Sequence, residues 1–197
     1  MARFVVKDAF FTRAKKEGYR ARSAYKLLEI QKKFQIIRKG NRVLDLGCAP
    51  GSWLQALSGM VGHEGLVVGI DLLPVVQLAG THVITRQADI RDLDVAGLMV
   101  ELAISSFDVI TCDIAPNLSG LRDVDNANVA NLYAAVTMTA EGGLKKGGNL
   151  VLKSFFSEDF KRSLSDLQAL FSKVSIYKPT ASRSVSSEVY LVCTGKK

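Results

Sequence analysis

The chain has 197 residues, 48% of them hydrophobic, enough for one compact domain with a real core and too few for two. No apolar run reaches the ~18 uncharged residues of a membrane span, because Asp71 interrupts the most hydrophobic stretch, and Arg3, Lys7 and Asp8 stand where a secretory signal needs an unbroken apolar segment. A soluble cytoplasmic protein is expected. Cys48, Cys112 and Cys193 form no C-x-x-C pair and lie far in sequence from His63 and His82, which excludes a disulfide scaffold and argues against structural zinc, so no metal is expected.

The net charge is +7, and residues 1–42 hold 13 Lys/Arg against three acids. A solvated face would intersperse the two signs, so this asymmetry favours a polyanion partner, nucleic acid before an anionic membrane. Within the basic segment, RARSAYKLLEIQKKF puts Ala24, Leu27, Leu28 and Phe34 on an apolar helical stripe, with Arg22, Lys26, Lys32 and Lys33 on the other faces. The segment reads as a basic helical appendage (1–42) docked on a catalytic core (43–197) within a single domain, with no repeat or linker to divide it.

From residue 42 the runs RVLDL, LVVGID, HVIT, FDVIT, NLVLK, VSIYK and EVYLVC are strand candidates, and helices are expected to begin near Ser52, Val95, Asn126 and Ser157, the last with Ser157 as N-cap. Such alternation predicts a single-domain, Rossmann-like α/β fold: a doubly wound, mostly parallel seven-stranded sheet with helices on both faces. Only the loop KPTASRSVSS separates the last two strands. It is too short for a helical crossover, so they should pair antiparallel.

The strongest local signal is VLDLGCAPGSW at 43–53: a strand, a turn with Gly47 and Gly51, then a helix. Glycines let backbone approach a ligand, and ligands of open α/β sheets sit beyond the carboxyl ends of the strands. Asp71 ends the second strand about where an acid meets ribose hydroxyls. The middle glycine of G-x-G-x-x-G, which admits a pyrophosphate, is absent. The cofactor expected is therefore a nucleoside without phosphates, S-adenosyl-L-methionine first, with NAD as the alternative.

These blocks resemble the RrmJ/FtsJ-type RNA ribose 2′-O-methyltransferases: GYRARSAYKLLEI at 18–30, DLGCAPGSW at 45–53, CDIAPNLSG at 112–120, LVLKSF at 150–155 and KPTASRSVSSEVYLV at 178–192. The resemblance implies a seven-stranded sheet with a reversed last strand and a catalytic set at Lys26, Asp113, Lys153 and Glu188. It implies cofactor contacts at Gly51, Trp53, Asp71, Asp89 and Asp113. Cys48 and Ser52 stand where many members have alanine and glycine. Members act on large-subunit ribosomal RNA, tRNA anticodon loops or mRNA caps; the short chain most resembles the ribosomal members, which modify a uridine, with tRNA as the alternative. A monomer is expected.

A ribose hydroxyl is a poor nucleophile and loses its proton as it attacks, so a positioned base helps. Lys153 is the candidate. Lys26 nearby favours a neutral amine and the two acids oppose it, leaving open a second role in which Lys153 stays charged and orients the hydroxyl. Taken singly, a strand-end lysine is a solvated cap and Glu188 an outward residue, whereas Asp113 ends a central strand where ligands gather. Asp89 could merely cap a turn, and Trp53 could be core.

Other chemistries fit less well. Amino-group methylation uses (D/N)-P-P-(Y/F), and here Asp113-Ile114-Ala115-Pro116-Asn117 lacks the stacking aromatic. Carbon methylation needs a thiolate, and Cys112 and Cys193 lie within strands. A nicotinamide oxidoreductase or a catalytically silent RNA-binding protein are the remaining alternatives. Arg13, Lys15, Lys16, Arg20 and Arg22, assisted by Arg183, are the expected RNA contacts.

Overall fold

In a computed structural model that describes residues 9–115, 122–155, 160–183 and 186–197, the elements run α1 (Ala9–Lys16), α2 (Ala24–Phe34), β1 (Arg42–Leu46), α3 (Ser52–Val61), β2 (Leu66–Asp71) and β3 (Val83–Gln87). A 3₁₀ turn (Ile90–Asp92), α4 (Val95–Glu101), β4 (Phe107–Cys112), α5 (Arg122–Gly143), β5 (Leu144–Phe155), α6 (Phe160–Leu170), β6 (Phe171–Tyr177) and β7 (Glu188–Lys196) complete the chain. The expected N-cap at Ser157 lies outside the described residues, as do residues 116–120 of the block after Asp113. No described helix is long and apolar enough to cross a membrane.

The seven strands form one sheet of order β3-β2-β1-β4-β5-β7-β6. Pairing is parallel from β3 to β5, and β7 is antiparallel to both β5 and β6. The expected hairpin exists, but its second strand inserts between β5 and β6 and does not add to the edge. Strand order reverses between β1 and β4, the switch point where open α/β sheets leave a crevice for ligands.

Strands buried on both faces read as continuous apolar runs, and their period of two sorts the side chains. Val43, Val67, Val109, Val151 and Val192 face α2 and α3, packing with Leu27, Ile30, Leu54 and Leu57. Leu44, Leu46, Ile70, Ile110, Leu152 and Leu191 face α4, α5 and α6. The reading of residues 1–42 as an appendage is thereby corrected over α2. Leu27 and Ile30 are fully buried, and Ile30, absent from the expected stripe, is part of the sheet's cover. Charge marked this segment as separate, but burial makes it integral. Beyond it, α1 docks through Ala14 against Tyr25 and Ala181.

Several ends differ from the local pattern. β5 begins at Leu144, five residues before the apolar run, because Lys145, Lys146 and two glycines mask the periodicity while backbone pairing with β4 continues through a register shift. α5 starts at Arg122, four residues before the expected position.

Candidate active site

The carboxyl end of β1 enters a turn that only glycine can make. Gly47 has φ +76°, and a Cβ there would lie 2.1 Å from Cγ1 of Ile114; Gly51 has φ +103°, and a Cβ would lie 2.6 Å from Nη1 of Arg20. Both positive φ values disfavour a side chain, and at Gly47 the close approach of Ile114 forbids one as well, whereas the Arg20 guanidinium at Gly51 could move aside. Asp71, at the end of β2, ties the turn down: Oδ2 accepts from the Ala49 N–H and Oδ1 from the Leu73 N–H, each at 2.8 Å. Each oxygen keeps a further lone pair for a ligand hydroxyl. Helix α3 opens from Gly51 with no side-chain cap, so its first-turn N–H groups favour an anionic group.

On the same sheet edge, alternation brings four chemically active side chains to the α2/α3 face. Asp113 follows Cys112, which pairs with Leu152, so Asp113 and Lys153 lie side by side at the carboxyl ends of β4 and β5. Lys153 pairs with Tyr190, and Phe155 with Glu188, which puts Lys153, Tyr190 and Glu188 on one face. α2 lies above them and is held there by Glu29, whose carboxylate accepts from the Thr180 N–H (2.7 Å), the Thr180 hydroxyl (2.8 Å) and the Ala181 N–H (2.9 Å). Lys26 of α2 thereby reaches Glu188, with Nζ–Oε1 at 2.6 Å. Lys153 Nζ lies 3.5 Å from Asp113 Oδ1 and 3.9 Å from Glu188 Oε2.

Lys26, Lys153 and Glu188 are buried, so their charges are only weakly screened by solvent. Burial pushes the Glu188 carboxyl up, but Lys26 first, then the Ser182 hydroxyl and lastly Lys153 outweigh it and hold it below the ordinary carboxylate range. The result is an alternation of two amines and two carboxylates, open toward the glycine turn through half-buried Asp113.

Two expected contacts take a different form. Trp53 is in the core: its ring stacks on Tyr190 with centroids 5.9 Å apart, and its N–H donates to the Ser23 carbonyl at 2.9 Å. The indole thus has no polar atom left for a cofactor. Asp89 lies just past β3, where it caps the 3₁₀ turn through the Arg91 N–H (2.9 Å) and pairs with the Arg91 guanidinium. Arg91 holds this carboxyl at about 2. Cys48, Cys112 and Cys193 are all free and buried, and burial pushes the thiols of Cys112 and Cys193 up to about 12. None is an available thiolate.

Two residues escape the sequence reading and a third takes another place. Tyr190 donates to Asp113 Oδ1 at 2.5 Å and lies under Lys26, whose Nζ is 5.8 Å from the ring centroid. Its position two residues after Glu188 in a strand was the available signal. Asp45, a lone acid in an apolar strand, is buried with Oδ1 accepting from the Thr111 hydroxyl at 2.6 Å and Oδ2 unpartnered. Burial, reinforced by the Asp113 and Asp71 charges and opposed by Thr111, raises its carboxyl to about 8. Arg20 was assigned to RNA, but its guanidinium reaches the Pro50 carbonyl of the turn at 2.9 Å and the Gln77 carbonyl at 3.4 Å.

A doubly wound sheet with one reversed inner strand, a Gly47/Gly51 turn at its switch point and a Lys/Asp/Lys/Glu cluster beside that turn are the features of a Rossmann-like methyltransferase. The FtsJ-like methyltransferase family matches residues 19–196, and the chain belongs to that family. It is 42% identical over 194 residues to the ribosomal RNA large subunit methyltransferase E of Methanococcus vannielii, covering 97% of this chain and 75% of the relative. It is 43% identical over 190 residues to the protein of the same name from Syntrophobacter fumaroxidans, covering 96% and 95%. The crystal structure of a ribosomal RNA methyltransferase from Plasmodium falciparum superposes with a TM-score of 0.77 at 27% identity, covering 90% of this chain and 98% of that one.

The cofactor is S-adenosyl-L-methionine, and the residues present fit it. The positive φ of Gly47 and Gly51 keeps the turn free of side chains, the uncapped start of α3 suits a carboxylate, Asp71 has acceptor capacity for ribose hydroxyls, and Leu72, Leu73 and Val76 expose apolar surface beside it.

Proposed function

We propose that the protein methylates a ribose 2′-hydroxyl, that of a uridine, in large-subunit ribosomal RNA, working in the cytoplasm as a monomer. The observation that carries this reading is the buried cluster of Lys26, Glu188, Lys153 and Asp113 at the mouth of the glycine turn. The names of the relatives support the RNA. All four side chains come from one chain, so no second copy is needed to complete the site.

When bound, the cofactor supplies an electrophilic methyl on its sulfonium. In its neutral amine form Lys153 would take the hydroxyl proton at Nζ as the ribose oxygen attacks the sulfonium methyl, whose C–S electron pair would stay on sulfur. Asp113 holds Lys153 on the cofactor side, and the Lys26–Glu188 pair fixes it on the other. Gly51, Asp71 and the first turn of α3 would hold the cofactor, with Trp53 setting the backbone and Asp89 bracing the loop past β3. A second reading, Lys153 as a charged group that only orients the hydroxyl, is favoured by its flanking carboxylates at 3.5 and 3.9 Å.

The test is incubation with methyl-labelled cofactor and, separately, undermethylated large subunits, small subunits and tRNA. Label in a 2′-O-methyl nucleotide of large-subunit RNA is expected. Label confined to tRNA, or on a base, overturns the assignment.

A further inference from the structure

Arg20 lies in the basic segment, yet its hydrogen bonds point inward. Nη1 donates to the Pro50 carbonyl at 2.9 Å and Nη2 to the Gln77 carbonyl at 3.4 Å. Pro50 belongs to the glycine turn and Gln77 to the loop that follows β2, so one guanidinium spans two walls of the cofactor crevice. A fork can bridge two carbonyls in this way, whereas the single ammonium of lysine holds no fixed plane. The stitching is reciprocal: the Arg20 N–H donates to Gln55 Oε1 at 2.8 Å, and Gln55 Nε2 donates to the Gly18 carbonyl at 2.9 Å.

Further along, the Ser23 and Ser52 hydroxyls lie 2.8 Å apart and the Trp53 N–H reaches the Ser23 carbonyl at 2.9 Å. Residues 18–23 are thus sewn to the turn and to the first helical turn after it. Together with Glu17, these six residues join α1, with its exposed Lys15 and Lys16, to α2, which carries Lys26. Whatever fixes the turn fixes this junction, and whatever grips the cations of α1 pulls on it.

We propose that Arg20 is a positioning residue through which cofactor occupancy and RNA binding strengthen each other. This rests on the RNA reading above. Each ligand orders hydrogen bonds that the other requires, and by linkage the gain is equal in both directions.

The experiment titrates S-adenosylhomocysteine calorimetrically into the full chain, alone and with a saturating in vitro transcript of a large-subunit RNA domain. In the wild type, RNA should tighten S-adenosylhomocysteine binding by about tenfold, within the usual range of such couplings. Arg20→Gln should lose the coupling. Arg20→Lys, which keeps the charge should the first variant fold poorly, should retain RNA affinity and its salt dependence while the coupling falls to within about twofold of none. Absence of coupling in the wild type, or wild-type coupling in Arg20→Lys, overturns the inference; a weaker salt dependence with coupling intact would make Arg20 a phosphate contact and overturn it equally. Methylation of the same transcript is assayed in parallel. A methylated transcript without coupling removes this inference alone, and an unmethylated one that still couples removes only the substrate assignment.

Discussion

The phenol of Tyr190 donates to Oδ1 of Asp113 at 2.5 Å, and the same oxygen lies 3.5 Å from Lys153 Nζ. Burial first, then the charge of Asp113, holds the phenol well above its ordinary range, so it remains a donor throughout the working pH range. It takes up part of the Asp113 charge and sets how closely Lys153 is drawn to it.

Tyr190→Phe keeps the ring against Trp53 and removes only the donor. A hydrogen bond to a charged group contributes about 1.5–3 kcal/mol, so single-turnover methylation should slow roughly 10- to 100-fold while S-adenosylhomocysteine affinity changes little. An unchanged rate would remove Tyr190 from the site.

Lys153→Ala and Asp71→Ala should separate chemistry from binding. The first acts at the hydroxyl and should abolish methyl transfer with cofactor affinity retained. The second removes a hydrogen-bonded charge and unties both the Ala49 and Leu73 N–H groups, weakening cofactor binding by about 1.5–3 kcal/mol. Calorimetry and a methylation assay on each variant check the pair, and normal turnover in Lys153→Ala would exclude it as base and as orienter.

Asp45 makes stability depend on pH. Below about pH 4 its carboxyl is protonated in folded and unfolded chains alike. From there to about 8 the folded chain holds a proton that the unfolded chain releases, so its contribution weakens as pH rises, at up to about 1.4 kcal/mol per pH unit, and levels off above 8. Urea unfolding of Asp45→Asn at pH 5 and 8 should show a shallower fall than the wild type. Identical slopes would mean that Asp45 is ionised in the fold.

Of the five cations first expected to grip RNA, Arg13 pairs with Glu17 at 2.8 Å and Arg20 is spent on the cofactor turn, whereas Lys15 and Lys16 are exposed. Lys15→Gln with Lys16→Gln should weaken cognate and non-cognate RNA alike and flatten the salt slope by roughly 0.7–0.9 per lost phosphate contact. Filter binding over a salt series measures it, and an unaltered slope would leave α1 without a role in RNA binding.

Local chemistry alone determined much of this protein. β1 and β2 coincide with their apolar runs because buried parallel strands need β-branched residues on both faces, and the glycine turn was legible because Gly47 and Gly51 hold conformations that other residues avoid. Family blocks named Lys26, Asp113, Lys153 and Glu188, but nothing in a window of ten residues brings Lys26 to Glu188 across 162 positions. That meeting required β7 to insert beside β5, which placed Glu188 on the α2 face, and it required Glu29 to bind the loop before β7. The same tertiary placement turned Arg20 from a surface cation into a crosslink, moved Trp53 into the core, and buried Asp45 beneath the turn. Periodicity reports which face a side chain takes within its own element; which element lies opposite is decided by sheet order and by where apolar faces can be buried, and those depend on the whole chain at once.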